Sequence, residues 1–409
     1  MTIVRSDPAQ HLVKSGPWPT PSQLLLLRAC LESGEEARSA WEQWSSIVDL
    51  DHLDYQSRYL LPMLDKNLRA LGVTGHPWLS RIKGYRRYTW AKNRRLLDHG
   101  IRLIEGLRSI VGDELLVIKG AALAWWHYAD PGLRPMDDFD FMIKPESVLP
   151  VLNYLKDSGW KMPLWFHRQW SVNKLVRGFF RYAYSHNIQR EHGIEIDLHW
   201  NLMPDLCGTK ENASFWDAAV SVQLPEGFKV RTLEPSDFLF HCCLHDSPCV
   251  PVARTRWIVD AVILLRGVEF IQWGRLIDLA EKFRYTLRLG TALKYLASRF
   301  PAQVSIPQTI IDCLLGREHS AEERGEHEAR MHPSRYPSNV FTNYRRCRAH
   351  SMPPHGKWPQ EIRAFAYFLM IYWNLPTLWL VFVLTPFFAA RRIYRKYLLP
   401  AKWAGPRRP

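Results

Sequence analysis

The residues with the clearest chemical potential lie in MDDFDFMIK, where Asp138 and Asp140 alternate with Phe139, Phe141 and Ile143. Side chains alternate along a strand, so the two carboxylates share one face and the apolar residues fill the other. Neighbouring carboxylates repel, and a cation relieves them. Hard oxygen donors point to Mg²⁺ (or Mn²⁺), which keeps water and substrate phosphates in its shell. Upstream, the apolar run LVIKG ends at Lys119-Gly120, and the turn from Lys119 to Ala122 offers backbone N–H groups to an anion as a helix begins. A third carboxylate follows in HGIEIDLHWNL, where Ile194, Ile196 and Leu198 alternate with Glu195, Asp197 and His199. If the two strands are neighbours, Asp138, Asp140 and Asp197 converge. With Lys119 or Arg134 as counter-charge, that is a site for metal-assisted nucleotidyl transfer. Asp197 is then the candidate to help deprotonate an acceptor.

The ordered set Lys119-Gly120, Arg134, Asp138-Phe139-Asp140 and Asp197-Leu198-His199-Trp200 resembles the uncharacterised bacterial nucleotidyltransferases of the polymerase-β-like superfamily. The resemblance extends loosely from about Leu24 to Phe300. It implies an enzyme moving an NMP from an NTP, ATP foremost, to an acceptor with release of pyrophosphate. Asp138, Asp140 and Asp197 would hold metal, and Lys119, Gly120 and Arg134 the nucleotide. Where the wider superfamily has Gly-Ser, this chain has Gly120-Ala121, so no serine hydroxyl meets the phosphate there. By analogy the acceptor is a small molecule, a glycan or a peptide. The alternative is a non-catalytic, membrane-associated scaffold or regulatory protein on the same fold.

The elements that must position these residues read as α+β, a small mixed-sheet core flanked by N- and C-terminal helical regions. Apolar residues at helical spacing in QLLLLRACL, in LDYQSRYLLPMLDKNLRALG and in about twenty residues of RYTWAKNRRLLDHGIRLIEGLRSI give a helical domain over 1–112, irregular at its start. Residues 113–232 form the core, with a helix from Ser147 to Gly159, strands within Val172–Ile196, and a hairpin around Pro225-Glu226-Gly227. Helices return over 233–315. Residues 316–360 read as a polar linker, and 361–409 as apolar and basic C-terminal helices. In the third region His241 and His245 stand four apart with Cys242, Cys243, Asp246 and Cys249 nearby, which is half a zinc site without HExxH or CxxC.

Bulk properties narrow the setting. Seven cysteines without a CxxC pair fit a reducing cytoplasm, and the N-terminus has no apolar signal core. The net charge is +14, but Val340–Pro409 holds twelve Lys/Arg against the single Glu361, so the charge marks the tail and argues against a nucleic-acid partner at the core. From Ala364 to Ala390 no residue is charged, and Arg391, Arg392, Arg395 and Lys396 follow. The run is long enough to span a bilayer, yet Asn374, Pro376 and Pro386 interrupt it, so a span, a re-entrant hairpin and an interfacial helix all stay open. Membrane contact through 364–396 would place the protein in the cytoplasm, against the inner face of the membrane.

Overall fold

The computed structural model describes residues 18–161, 184–190, 193–203, 212–223, 227–245, 254–332, 365–366, 369–370, 375 and 377–393. The chain opens with helices α1 (Pro21–Leu31), α2 (Gly34–Ile47), α3 (Tyr55–Arg58), α4 (Leu61–Ala70) and α5 (Leu79–Val111). Thr20 and Gln23 close a reciprocal capping box at the start of α1. The periodicity suggested about twenty residues for α5; the helix has 33 and is about 50 Å long. Its C-terminal half buries Leu96, Leu97, Gly100, Leu103, Ile104, Leu107 and Val111, one stripe at helical spacing. Gly100 lets the helix lie directly on the sheet, since a Cβ there would come 2.2 Å from the Phe139 ring.

The core elements follow as β1 (Leu115–Val117), α6 (Lys119–Trp126), β2 (Phe139–Ile143), α7 (Val148–Asp157), β3 (Ser185–Arg190), β4 (Ile194–His199), α8 (Ala213–Ala218), β5 (Val220–Gln223) and β6 (Lys229–Thr232). They build one six-stranded sheet in the order β3-β4-β2-β1-β6-β5. β1 runs antiparallel to β2, while β2 and β4 are parallel, with Asp140 opposite Asp197 and Met142 opposite His199. β2 is buried at every position, which explains why it is apolar throughout except at Asp140. The strand begins at Phe139, so Asp138 sits just ahead of it and not within it. The hairpin expected near 225–227 forms between β5 and β6. Of the stretch Val172–Ile196, residues 172–183 lie outside the described residues.

Helices α9 (Pro235–Leu244), α10 (Arg256–Gly267), α11 (Trp273–Lys282), α12 (Thr286–Arg299) and α13 (Gln308–Leu315) then cover the core. This is the expected α+β arrangement of a mixed sheet with helices before and after it. A further helix, α14 (Ala321–Met331), capped by Ser320, lies within the stretch whose polarity suggested a linker. The last described helix, α15 (Leu378–Ile393), has 16 residues and contains Pro386. At about 24 Å it falls short of a bilayer's hydrocarbon core of about 30 Å. Among the described residues no helix is long and apolar enough to cross a membrane.

Candidate metal and nucleotide site

Adjacent parallel strands bring the carboxylates together. Because Asp140 and Asp197 are register partners, their side chains rise side by side from one sheet face. His199 stands two residues beyond Asp197 on the same face. Its Nε2 lies 2.8 Å from Asp197 Oδ2 and 3.5 Å from Asp140 Oδ1. The three donor atoms lie within 4.8 Å of one another. Into their midst comes Lys119, whose Nζ is 2.7 Å from Asp140, 3.2 Å from Asp197 and 2.9 Å from His199 Nε2. Lys119 reaches them from the first residue of α6 with φ at +49°, a left-handed conformation uncommon for a lysine and of a kind that collects at functional sites.

The charges are mutually dependent. Burial disfavours ionising Lys119, yet Asp140 and Asp197 hold its pKa above the ordinary lysine value. Burial likewise opposes charge on both carboxylates, but Lys119 and His199 keep Asp140 and Asp197 below the usual range. For His199, burial is outweighed by Asp197, which draws its pKa up. Asp138 shares no such partner, and burial followed by the Asp140 charge pushes its carboxyl up to about 7.

The donor set suits a divalent cation. His199 Nδ1 lies 3.2 Å from the Asn201 carbonyl, and a proton there leaves the Nε2 lone pair aimed at the carboxylates. A lone pair 2.8 Å from a carboxylate oxygen is repulsive unless a proton or a cation stands between them. Two carboxylates and one imidazole thus converge on the Lys119 ammonium: with the proton on Nδ1, Lys119 donates to all three, and with a proton on Nε2 the ring itself donates to Asp197.

The other expected residues fall nearby in different roles. Asp138 is half-buried beside the group, outside the three close donors. Gly120 is buried at the second position of α6, and a Cβ there would come within 2.6 Å of Arg134 Nη1. Arg134 is committed elsewhere. It is 7 % exposed and donates through Nε and Nη2 to the two oxygens of Asp260, each at 2.8 Å, while Tyr128 donates to the same carboxylate at 2.6 Å. Arg134 therefore fixes the loop ahead of β2 against α10 and backs onto Gly120.

The sequence placed His199 on the same strand face as Asp197 but did not count it among the site residues, although the alternation that pairs Asp138 with Asp140 also pairs Asp197 with His199. The His241 and His245 rings stack at 4.6 Å in the helix behind the site, within electrostatic reach of Lys119 and His199. Burial above all pushes His241 down to about 3, and its Nε2 has no hydrogen-bond partner among the described residues. Among the described residues these histidines, Cys242 and Cys243 make no group of close metal donors; Asp246 and Cys249 lie outside the described residues.

The family model described as an uncharacterised nucleotidyltransferase matches residues 48–301, more than half of the chain and all of the sheet, and the chain belongs to that family. No curated protein matches it.

Proposed function

We propose, from this membership and this geometry, that the chain is a metal-dependent nucleotidyltransferase of the polymerase-β-like superfamily, moving an NMP from an NTP to an acceptor. The observation that carries the reading is the convergence of Asp140, Asp197 and His199 on one cation. Asp140, Asp197 and His199 would hold Mg²⁺ or Mn²⁺, with Asp138 beside them as a further carboxylate. Such an ion supplies charge neutralisation for phosphate oxygens and makes an acceptor hydroxyl a better nucleophile.

The chain's own groups do the rest. An acceptor oxygen forms the new bond to the α-phosphorus, the bond to the β-phosphate oxygen breaks, pyrophosphate leaves, and the hydroxyl proton passes to the acidic cluster. Lys119, released from the carboxylates, keeps its charge for the phosphates. Gly120 keeps the α6 backbone close to Arg134, which in turn holds the Asp138 loop. Incubation with each labelled NTP, Mg²⁺ or Mn²⁺ and a cell extract tests the reading. Pyrophosphate and a labelled product should appear, and EDTA should abolish both; no NTP-dependent product under any of these conditions would sink the assignment.

The tail adds a second element. α15 exposes Trp379 (61 %), Phe382 (61 %), Val383 (59 %) and Phe387 (62 %), which fall at i, i+3, i+4 and i+8 on one helical face. Arg391, Arg392, Arg395 and Lys396 follow at once in the sequence. An exposed apolar stripe next to a basic cluster suits the surface of an anionic bilayer. The proposed location is therefore the inner face of a membrane, in the plane of its interface.

A further inference from the structure

With Arg134 tied to Asp260, the site needs another cation for the phosphates. Arg256 opens α10, and its Nη1 donates to the Pro135 carbonyl at 3.2 Å, three residues ahead of Asp138. Its guanidinium lies over the Tyr59 ring, with Cζ 4.7 Å from the centroid. The Tyr59 hydroxyl is bonded to Asp137, which also accepts from Tyr55 at 2.9 Å and from Lys92 at 2.7 Å. Lys92 is thus neutralised by Asp137, as Arg134 is by Asp260. No carboxylate pairs with Arg256 among the described residues, and Asp138 feels its charge. A planar guanidinium laid on an aromatic ring, beside the carboxylates and uncommitted to them, is preorganised for bidentate contact with phosphate. Thr255, at the N-cap of the same helix, is fully buried; its hydroxyl has no hydrogen-bond partner among the described residues and does not cap the first turn, where the helix dipole is positive.

We infer that Arg256, seated on Tyr59, binds the polyphosphate chain of the nucleotide. The inference rests on the nucleotidyl-transfer reading and assigns its phosphate contact to the first residue of α10, seated on the residue that follows α3. Calorimetric titration with ATP, inorganic tripolyphosphate, adenosine and glucose 6-phosphate, all with Mg²⁺, tests it on wild type and Arg256→Ala. The substitution should weaken ATP and tripolyphosphate about ten- to a hundredfold, the loss of one or two charge-assisted hydrogen bonds, and leave adenosine unchanged. A loss confined to glucose 6-phosphate would move Arg256 to the acceptor's side and overturn the inference. ATP binding as tight as wild type, with the melting temperature retained, would overturn it while leaving nucleotidyl transfer intact. A wild type that binds neither ATP nor tripolyphosphate would overturn both. Phenylglyoxal labelling of the wild-type protein, read by peptide mass, does not depend on the variant folding. Tripolyphosphate should protect Arg256, and labelling of Arg256 at an unchanged rate under saturating tripolyphosphate counts against the inference.

Discussion

At the scale of single residues, Lys119 holds the site together. Its ammonium is the cation shared by Asp140, Asp197 and His199, so removing it without a metal leaves the buried Asp140 carboxylate facing the half-buried Asp197. Breaking a buried pair from one side costs about 3–5 kcal/mol, because the remaining charge is uncompensated. Lys119→Met should therefore melt well below wild type in EDTA, and millimolar Mg²⁺ or Mn²⁺ should recover much of the loss by occupying the vacated place. Wild type should respond far less to the same ions. Equal melting temperatures for the two proteins in EDTA would show that the ammonium does not balance these acids. Asp140→Asn separates chemistry from fold at the same place. It should abolish pyrophosphate release while the far-ultraviolet circular dichroism stays that of the wild type, and full turnover would remove Asp140 from the metal site.

Among the elements, α5 and the β2–β4 pair decide whether those residues meet. Gly100 lets α5 lie directly on the Phe139 ring, one residue before Asp140. Gly100→Ala forces overlap within a packed core, where such overpacking costs about 1–3 kcal/mol. Stability should fall by that amount in urea titration, and the displacement of β2 should lower turnover more than a surface Gly→Ala change such as Gly84→Ala, where nothing lies within 4 Å. Activity that tracks stability equally in both variants would mean that α5 merely supports the fold. This is also the scale at which the sequence was most legible. Alternation in DFDFMI and IEIDLH identified both strands, and one assumed adjacency brought Asp140 and Asp197 together, as the parallel register does. Alternation alone could not show that β2 starts after Asp138, because a strand ends where its hydrogen-bond partners do and not where its pattern does. Nor could local pattern reveal that Arg134 meets Asp260, 126 residues away, or that Arg256 lies over Tyr59. Those pairings depend on how helices from distant parts of the chain close over the sheet.

The stability of the whole molecule carries a pH dependence that one half-buried histidine makes testable. Burial is the main cause holding His127 down to about 4, and its Nε2 has no hydrogen-bond partner among the described residues. The unfolded chain binds a proton near pH 6.5, whereas the folded chain resists one until about 4. Stability from this group is thus complete above about pH 6.5 and is lost as pH falls toward 4, reaching roughly 2 kcal/mol at pH 5. Carboxylates such as Asp197, held low in the fold, are lost in the same direction at lower pH, so the comparison needs a variant. Between pH 7.5 and pH 5, His127→Asn should lose less unfolding free energy than wild type in paired urea titrations. Parallel losses would mean that His127 is free to titrate in the folded state.

The tail tests how the molecule meets its surroundings. The core is nearly balanced in charge, while the last seventy residues hold +11 of the net +14, concentrated after an uncharged run. α15 turns Trp379, Phe382, Val383 and Phe387 outward, and a surface of that kind stays soluble only if something covers it. Each Lys or Arg near an anionic leaflet contributes about 1 kcal/mol, so Arg391, Arg392, Arg395 and Lys396 together could hold a helix that lies on the bilayer without crossing it. In sedimentation with vesicles, the full chain should pellet with phosphatidylglycerol-containing vesicles and remain in the supernatant with pure phosphatidylcholine. Adding salt should release it, because exposed charge is screened within about 8 Å at physiological ionic strength. Phe382→Glu should weaken the association without changing the melting temperature, since its ring is exposed. If the full chain ignores anionic vesicles and Phe382→Glu instead lowers the melting temperature, the stripe is packed against protein and the tail belongs to the folded core.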